Sequence, residues 1–299
     1  MSPLQVSLRA ILRYSLSGME SPDTLGIIAG SGVYPLLLAD AARVAGVKRI
    51  IVAAFTDETS PEITNRADEI EWLRVGQLGK FLNFFHATNV REAIMAGQIA
   101  PANLFNLRPD FKAMFLLSRL KRRNAESIFG AIADQLAGIG VRLLPATTFL
   151  SHLLAPLGHI AGPRLKEREA ADLAFGFEIA KQLSALDVGQ TIVVKNGTVL
   201  AVEAFEGTNE AIRRGGSLGK KNALVVKVTK PNQDMRFDVP VVGTETLEVA
   251  AEAKIRAIAV EAGRTLLLEK SALVNLAIRL RISLIGAAGT SSAYLACVR

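Results

Sequence analysis

The sequence predicts an α/β protein of two domains, the first on a parallel, doubly wound sheet and the second a distinct α/β (α+β) unit. Three observations predict it. The apolar run Leu25-Gly26-Ile27-Ile28-Ala29 is followed by Gly30-Ser31-Gly32 and then by a helical stretch opened by Pro35, which is a strand–turn–helix unit. That helix stops at Gly46, and residues 49–54 read as a second buried strand, so the chain makes a βαβ unit with parallel strands. Near residue 160 the pattern changes: a helical stretch over 166–186 leads into two β-rich runs that meet at Asn196-Gly197, a strong hairpin signal. The first domain is therefore Rossmann-like. With 299 residues and roughly 150 residues per domain, a count of two follows.

The remaining elements follow the same pattern. In the first domain, strands are expected at 70–74, 93–96 and 141–144, with helices over 80–86, 112–120 and 128–136. In the second, strands are expected at 223–228, 257–260 and 265–268. The expected boundaries are an extension over 1–23, the Rossmann-like domain over 24–158, the C-terminal domain over 159–288 and a loose tail over 289–299.

Composition removes several classes of function. The chain is 50% hydrophobic and 21% charged, which suits a buried core and excludes a disordered protein. The net charge of +7 favours an anionic ligand or a membrane surface without requiring nucleic acid, and 6% aromatics leave little for base stacking. A single cysteine, Cys297, excludes an intrachain disulfide framework, a thiolate zinc site and an iron–sulfur cluster. The histidines at 86, 152 and 159 are too scattered for a histidine metal site, so any metal is expected to be a hard cation held by carboxylates. Arg9 and Arg13 interrupt the apolar residues of 1–24, so no signal peptide is expected; the segment reads as a frayed extension or an over-long start before Met19, or as a short amphipathic helix on a membrane. The uncharged stretch 143–163 contains three prolines and two histidines and is not expected to cross a membrane. A cytoplasmic protein is the resulting expectation.

Four segments carry candidate chemistry. Gly30-Ser31-Gly32 opens a helix, where free backbone N–H groups hold phosphate; equally, it is a tight turn that needs glycine. Pro35 stands where a dinucleotide fingerprint wants its third glycine. Gly76-Gln77-Leu78-Gly79-Lys80 also precedes a helix but lacks the P-loop spacing, so a solvated helix-entry loop is the simpler reading. Glu203-Ala204-Phe205-Glu206-Gly207-Thr208-Asn209 places Glu206 and Thr208 at a strand exit, suited to a cation and a phosphate oxygen; equally, Thr208 or Asn209 would cap a helix over 211–213. In the segment from Lys227 to Pro240, Asp234, Arg236 and Asp238 sit between Pro231 and Pro240. Prolines argue there for a shaped loop, whose carboxylates suit a divalent ion and whose cations suit phosphate. The basic runs at 119–123 and Arg213-Arg214 with Lys220-Lys221 read as solvated helix ends, or as attraction for a diphosphate or anionic lipid. No serine-hydrolase pattern is present.

Taken together, 25–35, 76–80, 186–204, 206–209, 230–243 and 258–266 carry a resemblance: over roughly 24–286 the chain resembles the LpxI family of UDP-2,3-diacylglucosamine pyrophosphatases. Asn209 departs from the pattern, standing where an aspartate is expected. The resemblance implies Mg²⁺-dependent hydrolysis of the diphosphate of UDP-2,3-diacylglucosamine to UMP and 2,3-diacylglucosamine 1-phosphate, a step of lipid A biosynthesis. Water attack at the phosphorus on the sugar side is implied. It also implies a substrate held between two domains, a homodimer, peripheral contact with the cytoplasmic face of the inner membrane and no nucleic-acid partner. On this reading Asp234 and Asp238 are the catalytic carboxylates, and Asp234, Asp238 and Glu206 are the metal ligands. Lys195, Thr208 and Arg236 contact the substrate, with Gly30, Ser31, Gln77 and Lys80 holding nucleotide or phosphate. The acyl chains need an apolar groove, for which the uncharged 143–162 stretch or the cleft between the domains is a candidate. Two rival readings are a dinucleotide-dependent oxidoreductase using the Gly30/Gly32 turn, with Asp57 near the ribose, and a non-catalytic module binding an anionic lipid or nucleotide.

Overall fold

The computed structural model describes residues 21–99, 109–121 and 124–288; most of the expected extension, the tail with Cys297, and Arg122 and Arg123 lie outside the described residues. The chain is mixed α/β and divides into two compact units, one of 1–152 with 234–238 and one of 153–233 with 239–299. Residues 234–238, read from the sequence as part of the 159–288 domain, thus fold with the first unit.

The first unit is built on β1 (Thr24–Ala29), α1 (Tyr34–Val44), β2 (Arg49–Phe55), β3 (Glu69–Leu73), α2 (Leu78–Ala87), β4 (Glu92–Ala96), α3 (Phe111–Arg119), α4 (Ala125–Gly138) and β5 (Arg142–Leu143). Its strands form one parallel sheet in the order β3-β2-β1-β4-β5, the strand order of a doubly wound nucleotide-binding sheet. β1 and β2 are almost wholly buried, which is why they read as continuous apolar runs rather than alternating ones. Below them α2 sets Leu78, Phe81, Leu82 and Phe85 at helical spacing into a core with Ile51, Leu73, Val90 and Leu136.

The second unit contains β6 (Gly158–Ala161), α5 (Glu167–Ala185), β7 (Thr191–Lys195), β8 (Thr198–Val202), α6 (Thr208–Gly219), β9 (Ala223–Lys227), β10 (Val241–Val242), α7 (Thr244–Glu252), β11 (Ile255–Glu261), β12 (Leu266–Leu267), α8 (Lys270–Leu280) and β13 (Ser283–Ala287). Six strands form a mixed sheet, β6-β13-β11-β9-β7-β8; β9, β11 and β13 are parallel, while β6, β7 and β8 are added antiparallel at the edges. The two-residue period of the strands sorts the core onto two faces. Leu224 and Val226 pack with Leu173, Phe177 and Ala180 of α5, and Val225 and Ile258 pack with Ile212, Leu247 and Leu273 of α6, α7 and α8.

The hairpin between β7 and β8 turns at Asn196 (φ 52°) and Gly197 (φ 70°), as the Asn-Gly pair requires. It is tied down by a residue the sequence did not flag. The carboxylate of Asp172 on α5, buried, accepts the N–H of Asn196 and of Gly197, each at 2.7 Å.

Within the uncharged 143–162 stretch, Leu144, Ala146, Phe149, Leu150 and Ala155 are buried and belong to the core, while Leu157 is exposed. Among the described residues no helix is long and apolar enough to cross a membrane.

Candidate active site

In open α/β sheets, ligands bind beyond the carboxyl ends of the parallel strands, where loops converge and helices begin. In the first unit this edge is formed by the turn after β1, the segment after β5 and the 234–238 loop.

The turn after β1 is held by the chain's own backbone. Gly30 N–H donates to Ala96 O at 2.7 Å, Ser31 N–H to Gln98 O at 2.7 Å, and Ser31 Oγ to the same carbonyl at 2.9 Å. A Cβ on Gly30 would lie 2.5 Å from Gln98 O, so glycine is required by the neighbouring chain rather than by a ligand. The expectation of free N–H groups at Gly30 and Ser31 is therefore corrected. What remains for an anion is the first turn of α1, whose cap residue Val33 makes no side-chain cap hydrogen bond.

Tyr34, at the start of α1, donates its hydroxyl to Ala146 O at 2.5 Å, and burial pushes its pKa up, so it stays a neutral donor. Ala146 N–H in turn donates to Met235 O at 2.7 Å. The loop closes on itself through Phe237 N–H and Asp238 N–H, which both donate to Asp234 O at 3.3 and 3.0 Å. Phe237 then packs against Phe129, ring centroids 6.0 Å apart, among the residues of the first unit's core. As the prolines predicted, the segment is a turn and not a helix.

The Asp234 carboxylate is gripped by Arg236. Nε lies 3.0 and 3.2 Å from its two oxygens, Nη2 2.7 Å from one of them, and the Arg236 N–H 3.1 Å from the other. These bonds from the guanidinium, above all, hold the Asp234 carboxyl below the usual carboxylate range, and the same pairing raises Arg236. Both side chains remain partly open to solvent. The result is an ionised carboxylate and a guanidinium side by side, one able to align water or meet a cation, the other able to meet a phosphate oxygen.

The second helix-entry loop is closed to phosphate in this arrangement. Gly79 N–H, in the first turn of α2, donates to Asp110 Oδ2 at 2.6 Å, so the positive end of that helix already holds a carboxylate. Gln77 accepts from Arg74 N–H at 2.8 Å, and Lys80 pairs with Glu71.

At the carboxyl edge of the second unit's sheet lies a polar cluster. Thr208 Oγ1 donates to Glu203 Oε1 at 2.8 Å and accepts from Lys227 Nζ at 3.1 Å; Lys227 also donates to Val241 O at 3.1 Å. Glu203 Oε2 is buried with no hydrogen-bond partner. Thr208 does not cap α6; Gly207 does, at φ 86°, which frees the threonine hydroxyl for the cluster. Glu206 instead pairs with Arg214, and hydrogen bonds from backbone N–H groups, first its own, together with Arg214 keep its carboxyl below the usual range. Lys195 is committed to the end of α6, donating to Gly219 O at 2.7 Å.

Two family profiles match the chain, the LpxI N-terminal domain over residues 24–153 and the LpxI C-terminal domain over 156–285. The chain belongs to the LpxI family. It is similar to the UDP-2,3-diacylglucosamine pyrophosphatase LpxI of Caulobacter vibrioides (strain ATCC 19089 / CIP 103742 / CB 15), with 28% identity over 275 residues, 88% of this chain and 96% of the relative.

In this LpxI-family chain the predicted site residues fall into two groups. Gly30, Ser31, Gln77, Lys80, Asp234, Arg236 and Asp238 belong to the first unit; Lys195, Glu206 and Thr208 belong to the second. Among the described residues no three His, Cys, Asp or Glu side chains converge as a metal cage. With Asp234 a half-buried carboxylate already paired with Arg236, the donor set fits only a cation that keeps waters and takes its other ligands from substrate phosphates, as Mg²⁺ commonly does. Tyr34, Glu203 and Lys227 were missed. Glu203 and Lys227 each stand at the end of a β run, and that position at the carboxyl edge was the available signal.

Proposed function

We propose that the chain hydrolyses the diphosphate of UDP-2,3-diacylglucosamine to UMP and 2,3-diacylglucosamine 1-phosphate at the cytoplasmic face of the membrane. Membership of the LpxI family and the name of the Caulobacter relative support the substrate. The observation that carries the site is the Asp234–Arg236 pair, fixed beside the start of α1 by the bonds through Ala146.

In the proposed reaction a water oxygen bonds to the phosphorus on the sugar side, the bond from that phosphorus to the bridging oxygen breaks, and the bridging oxygen leaves with UMP. Such a transfer depends on positioning and charge stabilisation, not on a covalent nucleophile. Asp234 stays ionised and, with its lowered pKa, is a weak base; it accepts a hydrogen bond from the attacking water and orients it. Arg236 offsets charge on the phosphoryl oxygens, and the first turn of α1 meets a second phosphate with its N–H groups. Mg²⁺, held by Asp234 with Asp238 close in the same turn, would supply charge neutralisation of the diphosphate. A homodimer is the proposed assembly.

Incubation of the purified chain with UDP-2,3-diacylglucosamine, with Mg²⁺ or with EDTA, tests this. Release of UMP that stops with EDTA is the expected result. Release that continues in EDTA removes the metal, and no release beside an active control enzyme removes the reaction.

A further inference from the structure

The helix α3 presents an apolar face to solvent. Phe111, Met114 and Phe115 are 88%, 49% and 59% exposed, and at i, i+3 and i+4 they occupy one side of the helix. The opposite side is the one that packs: Ala113 is buried and Leu116 lies against the first unit's core. The helix is also firmly seated. Asp110 caps it by accepting Ala113 N–H at 2.8 Å, and the same carboxylate accepts Gly79 N–H of α2. Two phenylalanines and a methionine are thus held outward on a rigid support.

The charge along the helix and its exit has one sign. From 111 to 123 the sequence carries Lys112, Arg119, Lys121, Arg122 and Arg123 and no acidic residue. Among the described residues Lys112, Arg119 and Lys121 are exposed and make no ion pair; the Arg119 guanidinium lies 4.2 Å from the Phe115 ring centroid, beside the apolar face. Apolar side chains ringed by unpaired cations match a bilayer interface, where rings enter the acyl boundary and the cations meet anionic headgroups.

We propose that α3 is a docking surface for an anionic phospholipid bilayer, with Phe111, Met114 and Phe115 entering the interface and Lys112, Arg119 and Lys121 meeting the headgroups. The surface stands on exposure and charge, independently of the reaction proposed above. Because α3 starts beside the first turn of α2, at the carboxyl edge of the sheet, docking there would bring the candidate site to the lipid surface.

The test is co-sedimentation of the full chain with substrate-free vesicles of phosphatidylethanolamine with phosphatidylglycerol, and with vesicles of phosphatidylcholine alone. Binding to the anionic vesicles, weaker to the neutral ones and falling with salt, is expected. A Phe111→Ser/Phe115→Ser variant should lose about tenfold or more in partition coefficient. A Lys112→Glu/Arg119→Glu variant should lose preference for the anionic vesicles. Both should keep wild-type thermal unfolding and UMP release in detergent, since neither changes the site. Wild-type binding that ignores lipid charge, equal binding by the phenylalanine variant, or a wild-type dimer that this variant dissociates would each overturn the proposal, the last by assigning the face to a second copy.

Discussion

Ala146 donates its backbone N–H to the carbonyl of Met235 at 2.7 Å, while its own carbonyl receives the Tyr34 hydroxyl. These two bonds join residues about ninety and more than a hundred positions apart in sequence, and they fix Asp234 near the start of α1. The loop's place is set by backbone bonds, so it tolerates change in its side chains better than change in its path.

Removing the tyrosine hydroxyl tests that linkage. In Tyr34→Phe, Ala146 O loses a buried donor, a loss of about 1–2 kcal/mol. Urea unfolding should show it, and UMP release should fall with little change in KM if the loop shifts. An unchanged rate and midpoint would dissociate Tyr34 from the loop.

Asp234 sets a pH dependence. Its folded pKa is lowered, so the pairing with Arg236 stabilises the fold above the unfolded carboxylate value of about 3.9 and loses that contribution as pH falls through the lower folded value. An NMR titration should place the Asp234 carboxyl below the usual range, and Arg236→Gln should move it upward. No movement would assign the shift to another cause.

Asp172 is the predicted stability hot spot of the second unit. Its carboxylate satisfies both N–H groups of the hairpin turn, so Asp172→Ala should destabilise the fold by about 2–3 kcal/mol. Asp172→Asn, which keeps one acceptor, should recover part of this in the same denaturation assay.

Gly30 should be intolerant for a steric reason. The alanine Cβ would meet backbone 2.5 Å away, with no flexible side chain to move. Gly30→Ala should destabilise by about 1–3 kcal/mol, whereas Ser31→Ala, losing one side-chain bond, should change thermal unfolding little.

The strand–turn–helix unit at 24–44, the parallel sheet and the Asn-Gly hairpin were legible because each rests on local chemistry: continuous apolar runs, a proline at a helix start, two residues that accept positive φ. The Pro231–Pro240 bracket also correctly indicated a shaped loop. The sequence could not reveal that 234–238 folds with the first unit, because that depends on Ala146 and Phe129, which no local pattern connects to it. For the same reason Asp110, which occupies the positive end of α2, and Asp172, which holds the hairpin, were invisible. Each acts on a residue more than twenty positions away.

The most direct measurement is the rate of UMP release from UDP-2,3-diacylglucosamine by Asp234→Asn, a variant of the same shape without the charge. With wild-type unfolding behaviour, it should be slower by about a hundredfold or more. A folded Asp234→Asn protein within about threefold of the wild-type rate would contradict the assignment of the reaction to this loop.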